Sequence, residues 1–140
     1  MARVSDNNLF ILSETEQRAK VFKSLLRGEV HPVSDIIIIQ KEDIQHSFKN
    51  TKESVCLVDL ISYKDSSKRI ITLLKNNCPN CKVIAIHIYR TPLLINPLFK
   101  SGIDGYIHSD PSRKELLEAI NTVKNGNVYL PVFLKGGINA

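Results

Sequence analysis

Two patterns of hydrophobic and polar positions take turns along this chain. Short continuous apolar runs alternate with stretches in which apolar residues return every third or fourth position. The first run, Asn8 to Ser13, reads as a buried strand. Glu14 to Arg27 then reads as a helix, with Ala19, Phe22, Leu25 and Leu26 at helical spacing and Gly28 ending it. After Pro32, Asp35 to Gln40 is β-branched and apolar, the mark of a second strand. Lys41 to Asn50 predicts a weak, polar helix with only Ile44 and Phe48 turned inward. Ser54 to Leu60 is a third strand, Ser66 to Asn77 a helix through Ile70, Leu73 and Leu74, and Lys82 to Ile88 a fourth strand.

Thr91-Pro92 starts the next helix, the threonine as cap and the proline in the first turn. Pro97 falls inside that helix, where proline costs about 3 kcal/mol or forces a kink. Ser101-Gly-Ile-Asp-Gly105 is turn chemistry, followed by a strand from Tyr106 to His108. Ser112 and Glu115 form the S-x-x-E of a capping box before a helix through Leu116, Ile120 and Val123, closed by Gly126. Strand and helix thus alternate through the chain without an internal sequence repeat. That order predicts an α/β fold, a five-stranded parallel sheet with helices on both faces.

Size and composition fit one soluble domain. A chain of 140 residues buries roughly 68% of its unfolded surface. The tail from Asn127 to Ala140 is too short for a second domain. No N-terminal signal-peptide pattern is present, and the longest aliphatic run, Ile36 to Ile39, is far too short to span a bilayer. The expectation is a cytoplasmic protein with no membrane contact. The net charge is +5, with seven basic and seven acidic residues in positions 1–50 against twelve and seven in positions 51–140. The cations of the second half, Lys64, Lys68, Arg69, Lys75, Lys82, Arg113, Lys114 and Lys124, are spread over different elements with few aromatics between them. Solvated helix faces explain them better than a nucleic-acid surface.

Cys56, Cys78 and Cys81 are too few for a disulfide framework. Cys78-Pro-Asn-Cys81 is a C-x-x-C, but it follows a helix and precedes a strand, whereas a redox pair sits at a helix N-terminus. A zinc site would need further ligands in a pattern the chain lacks. Loop cysteines without chemistry are the reading here.

The sharpest candidate is Asp59, the carboxylate ending the apolar run Val55-Cys-Leu-Val-Asp59. In open α/β sheets, sites lie beyond the carboxyl ends of the strands. Asp59 is therefore either a site residue or a strand-terminating turn residue.

Three segments carry a family resemblance: Ser101-Gly-Ile-Asp-Gly-Tyr-Ile107, Leu116-Leu-Glu-Ala-Ile120 and Gly126-Asn-Val-Tyr-Leu-Pro131. They are similar to the end of a response-regulator receiver domain of the LuxR/NarL transcription-factor type. The resemblance covers about residues 8–131. It implies a CheY-like, flavodoxin-like doubly wound sheet of strand order 2-1-3-4-5, with residues 1–140 as one receiver-like domain and no output domain in this chain. In that family a strand-end aspartate accepts a phosphoryl group beside Mg²⁺. Two acidic residues after the first strand help hold the metal, and a Thr or Ser and a Lys bind the phosphoryl oxygens. Positive charge is needed there because a carboxylate attacks a dianionic group.

Carried over by position, Asp59 is the phosphoacceptor. The acidic pair falls on Ser13 and Glu14, so one acid is lost. Glu14, Asp59 and the Ile61 carbonyl could form a weak Mg²⁺ site. The hydroxyl position falls on His87 and the lysine position on Ser109, while Tyr106 keeps the switch aromatic. Losing one preorganised donor typically costs about 10²–10³-fold. The bland alternatives are a helix N-terminal acid for Glu14, a hydrogen-bonded filler for His87 and packed aromatic surface for Tyr106.

The resemblance, read with these departures, implies an atypical receiver in two-component signalling rather than an enzyme. It would act by protein contact, as a homodimer through its first and fifth helices or through the face of the fourth helix, fifth strand and fifth helix. The disturbed fourth helix favours the former. A histidine kinase is a possible partner, and DNA is reached only through an output domain. One competing reading is a working phosphoacceptor on Asp59 with Mg²⁺. Another is a flavodoxin-like small-ligand module, against which stands the lack of a Gly-rich phosphate loop.

Overall fold

The computed structural model describes residues 8–28, 36–48 and 53–134. The strands are β1 (Asn8–Ser13), β2 (Ile36–Ile39), β3 (Ser54–Asp59), β4 (Lys82–His87) and β5 (Gly105–His108). The helices are α1 (Glu16–Leu26), α2 (Ile44–Ser47), α3 (Ser67–Asn77), α4 (Pro92–Ser101) and α5 (Arg113–Lys124). All strand pairs are parallel, and the order is β2-β1-β3-β4-β5, the doubly wound arrangement expected. No helix is long and apolar enough to cross a membrane among the described residues.

Alternation along the strands sorts the core into two layers. Leu9, Ile11, Val55, Leu57, Ile84, Ile86 and Ile107 point to one face and pack with Ala19 and Phe22 of α1 and Leu116 and Ile120 of α5. Phe10, Leu12, Cys56, Val58, Val83, Ala85 and Tyr106 point to the other, against Ile70 and Leu74 of α3 and Ile95 and Leu98 of α4. Every residue of β1 and β3 is buried, because a sheet covered on both faces has no wet side.

The caps are those the sequence offers. Ser66, Thr91 and Ser112 accept hydrogen bonds from the backbone N–H of Arg69, Leu93 and Glu115 at 3.4, 3.3 and 3.1 Å. Some boundaries move. α1 begins at Glu16, since Thr15 is still extended with φ −109°. The polar helix expected from Lys41 to Asn50 is a 3₁₀ turn (Lys41–Asp43) and a single α-turn, because only Ile44 and Phe48 are there to hold it. Leu60 leaves β3 for a 3₁₀ turn (Leu60–Ser62), and Ile88 lies beyond β4. The expected strand start at Asp35, helix end at Asn50 and tail residues to Ala140 lie outside the described residues.

Pro97 lies inside α4 without ending it. The carbonyl that loses its i+4 donor belongs to Leu93, four residues back, a residue 80% exposed on the outer side of the helix. The C-terminal tail returns along the sheet edge: Tyr106 donates its N–H to Tyr129 O at 3.0 Å, and Tyr129 donates to Asp104 O at 3.0 Å. The outer edge of β5 is thereby covered.

Candidate functional site

The strand period places two candidate residues on the same face. Ser13 continues the series Leu9, Ile11, and Asp59 continues Val55, Leu57, so both point toward the α1 side. The β1–β3 register sets them directly opposite. Both are fully buried at the C-terminal edge of the sheet, and Ser13 Oγ donates to Asp59 Oδ2 at 2.9 Å.

A buried carboxylate needs a counter-charge or a set of donors. Arg18 supplies both. Its Nε donates to Asp59 Oδ2 at 2.6 Å and its Nη2 to Oδ1 at 3.0 Å, a two-pronged guanidinium–carboxylate pair. Arg18 lies one turn before Phe22 on the inward stripe of α1, with its guanidinium carbon 5.7 Å from the Phe22 ring centre. Helical side chains lean toward the N-terminus, and α1 runs back from the strand ends. The guanidinium is thus carried onto Asp59. The hydrogen bond to Asp59 raises the Arg18 pKa further, against the lowering effect of burial.

The loop after β3 is tied into the same cluster. Ser62 Oγ donates to the Asp59 carbonyl at 2.7 Å and accepts from the Glu14 N–H at 2.9 Å. Glu14 is exposed, and Ile61 sits half-buried in the Leu60–Ser62 turn.

His87 belongs to the opposite face series, with Val83 and Ala85. Its ring stacks on Tyr89 at 4.0 Å, and its Nδ1 accepts the Ile88 N–H at 2.8 Å. Burial lowers the His87 pKa, and the Asp59 charge pulls it back up. Ser109 holds a left-handed backbone, φ +62°, and donates its N–H to His87 O at 2.8 Å. Tyr106 is fully buried and donates its hydroxyl to Tyr89 O at 2.6 Å. Its hydroxyl pKa is raised, chiefly by burial.

No protein-family model matches the chain. Among curated proteins it is 25% identical over 133 residues to the transcriptional regulatory protein DesR of Bacillus subtilis, covering 91% of this chain and 64% of DesR. It is 32% identical over 75 residues to the transcriptional regulatory protein MctR of Rhizobium johnstonii, covering 54% of this chain and 35% of that one. The chain spans less than two thirds of either relative. Among solved structures, the isolated receiver domain of RcsB from Salmonella enterica serovar Typhimurium superposes with TM-score 0.74 at 14% identity, over 96% of this chain and 100% of that one. A LuxR-family two-component response regulator from Aurantimonas does so with TM-score 0.74 at 11% identity, over 94% of each chain.

The chain has the receiver-domain fold. Its structural likeness is to receivers of LuxR-family response regulators, and the names of its curated relatives agree.

Within that fold, Arg18 is the residue that the sequence reading missed. The signal was present: Arg18 lies four residues before Phe22, so the apolar stripe of α1 extends onto a cation at the strand-end level. Its pairing changes what the receiver's strand end can do. Both Asp59 oxygens are engaged by the guanidinium, and Ser13 adds a third donor. Glu14, Asp59 and Ile61 lie about the same strand end, and there the Asp59 oxygens face the Arg18 guanidinium. Among the described residues no group of three or more His, Cys, Asp or Glu is placed to hold a metal. His87 and Ser109 are joined to each other through the backbone, not to Asp59.

The three cysteines are all buried, and none is in a disulfide. Cys78 and Cys81 sit on a turn closed by Cys81 N–H to Cys78 O at 3.1 Å. Hydrogen bonding to Cys56 is the largest influence raising the Cys81 thiol pKa, with burial adding to it.

Proposed function

We propose that this receiver is an atypical one, working by protein contact as a homodimer and independently of phosphorylation. The observation behind this reading is the Arg18–Asp59 pair. A nucleophilic carboxylate must present a free oxygen to phosphorus, and a phosphoryl acceptor needs charge compensation held ready for the incoming group. Here the compensating charge is already spent on the acceptor itself. Ser13 in place of an acid and Ser109 in place of a lysine leave little to recruit Mg²⁺ or to hold phosphoryl oxygens. The protein is on this reading a signalling module and not an enzyme.

The dimer face we favour is α1 with α5. Arg113 Nε donates to Leu25 O at 2.7 Å, locking the two helices together. Between α1 and the loop leading into α5 opens a groove of about 250 Å³ lined by Arg18, Val21, Phe22, Asp110 and Pro111, with Val21 58% exposed. The match to transcriptional regulatory proteins longer than this chain supports a place as the regulatory half of a DNA-binding factor, contacting DNA only through an output domain.

Incubation with acetyl phosphate and Mg²⁺, read by intact mass, tests this reading. No adduct is expected. A stoichiometric phosphoryl adduct that disappears in Asp59→Asn would establish a working phosphoacceptor instead.

A further inference from the structure

We infer that the outward side of α3, with the grooves on its two flanks, docks an acidic amphipathic helix of a partner protein. Between Asp65 and Asp104 the sequence has no Asp or Glu, while Lys68, Arg69, Lys75, Lys82, Arg90 and Lys100 all fall within it. The fold separates these cations into two groups. Lys75 is turned onto the carbonyls of Pro79 and Cys81 at 3.1 and 2.9 Å, Lys82 is half-buried in β4, and Arg90 lies over the Phe133 ring at 4.2 Å. Lys68, Arg69 and Lys100 remain exposed, and Lys68 and Lys100 have no ion-pair partner among the described residues.

Those three residues line two grooves that meet along α3. One, of about 730 Å³ between α2 and α3, has an aliphatic floor of Ile44, Ile70 and Leu73 and a rim that includes Lys68 and Arg69. The other, of about 380 Å³ between α3 and α4, is lined by Lys68, Thr72, Pro97, Lys100 and Ser101. Lys68 and Thr72 belong to both, forming the α3 ridge that separates the two grooves and that a docked helix would lie across. On the far lip, Lys41 and Asp65 cancel each other as an ion pair, leaving Glu42 as the single unpaired acid there.

An aliphatic floor under a basic rim fits a helix with an apolar stripe and acidic flanks. α3 has 11 residues, and at 1.5 Å per residue it offers a track of roughly 16 Å, about three turns of a docked helix. Nucleic acid fits less well, because neither groove has an aromatic ring on which a base could stack. The unequal charge steers an acidic partner to this side, and the floor fixes its register.

The test is fluorescence anisotropy of a labelled synthetic helix of about 18 residues, long enough for marginal helicity alone. It carries leucines at i, i+3, i+4 and i+7, glutamates on the two flanks of that stripe, and alanine or glutamine elsewhere. Binding to the full chain is expected, weakening at least about tenfold in Lys68→Glu/Arg69→Glu and on raising salt from about 50 to about 300 mM. Lys100→Glu, on the other flank, should weaken it independently. Lys20→Glu/Lys114→Glu, which removes the same charge from exposed positions on α1 and α5, should leave it unchanged, and the lysine-for-glutamate peptide should not bind. Three results overturn the inference: no binding of the acidic helix, equal loss in the Lys20/Lys114 variant, or tighter binding of a DNA duplex abolished by the Lys68/Arg69 change.

Discussion

At the residue scale, Asp59 owes its place in the core to Arg18 and Ser13. A fully buried carboxylate stripped of its partner is costly, typically about 3–5 kcal/mol when a buried pair is broken. Arg18 is one third exposed, so water softens the loss. Arg18→Met should therefore destabilise the protein by about 2–3 kcal/mol in urea unfolding. Adding Ser13→Asp to Arg18→Ala should create measurable Mg²⁺ affinity by calorimetry where the unaltered protein shows none. If Mg²⁺ binds the unaltered protein equally well, Arg18 does not block the site. His87 gives a second residue-level outcome. Its folded pKa lies below the ordinary 6.5, because burial disfavours the imidazolium. The stabilisation is complete above the unfolded value and lost as pH falls through it toward the folded value. Between about pH 7.5 and about pH 5.5 the unaltered protein should thus lose more stability than His87→Gln. Equal losses would mean that His87 titrates as it does in the unfolded chain.

At the scale of elements, α4 combines opposite tendencies. Thr91 and Pro92 make a strong start and Gly102, at φ +120°, a clean stop, while Pro97 removes an interior hydrogen bond. Ile95 and Leu98 hold the helix to the sheet from the inside, so packing overrides the proline. Pro97→Ala should stabilise the protein by about 1–3 kcal/mol, the interior proline penalty less what solvent already recovers at the Leu93 carbonyl. A thermal melt measures it, and an unchanged midpoint would mean that the helix pays nothing for its proline. The polar stretch after β2 shows the converse. With only Ile44 and Phe48 buried, it folds into little more than two tight turns.

For the whole molecule, the tail along β5 and the locked α1–α5 pair leave different surfaces open. The edge of β5 is taken by the Tyr129 segment, whereas Val21 stands exposed beside the groove between α1 and the loop before α5. Sedimentation should show a dimer that Val21→Glu dissociates and Leu93→Glu, on α4, leaves intact. The reverse pattern would move the interface to the α4 side. Continuity of α4 through Pro97 removes one reason for discounting that side, which makes the paired variants the deciding comparison.

Alternation of apolar runs and helical stripes was enough to read the sheet, its covering helices and the burial of β1 and β3, because local periodicity records which sides of each element meet the core. The same period put Asp59 at a strand end. Ser13, by contrast, could be seen only as a missing acid, and its hydrogen bond to Asp59 follows from the β1–β3 register. Arg18, 41 residues away from Asp59 in sequence, becomes its partner only when α1 packs back across the strand ends. The stacking of His87 on Tyr89 and its hydrogen bond from the Ile88 N–H likewise depend on how the loop after β4 folds. Side-chain pattern thus determined the elements and their buried faces. Only the tertiary structure decided which charges meet, since a contact between distant elements depends on register and packing that no local window contains.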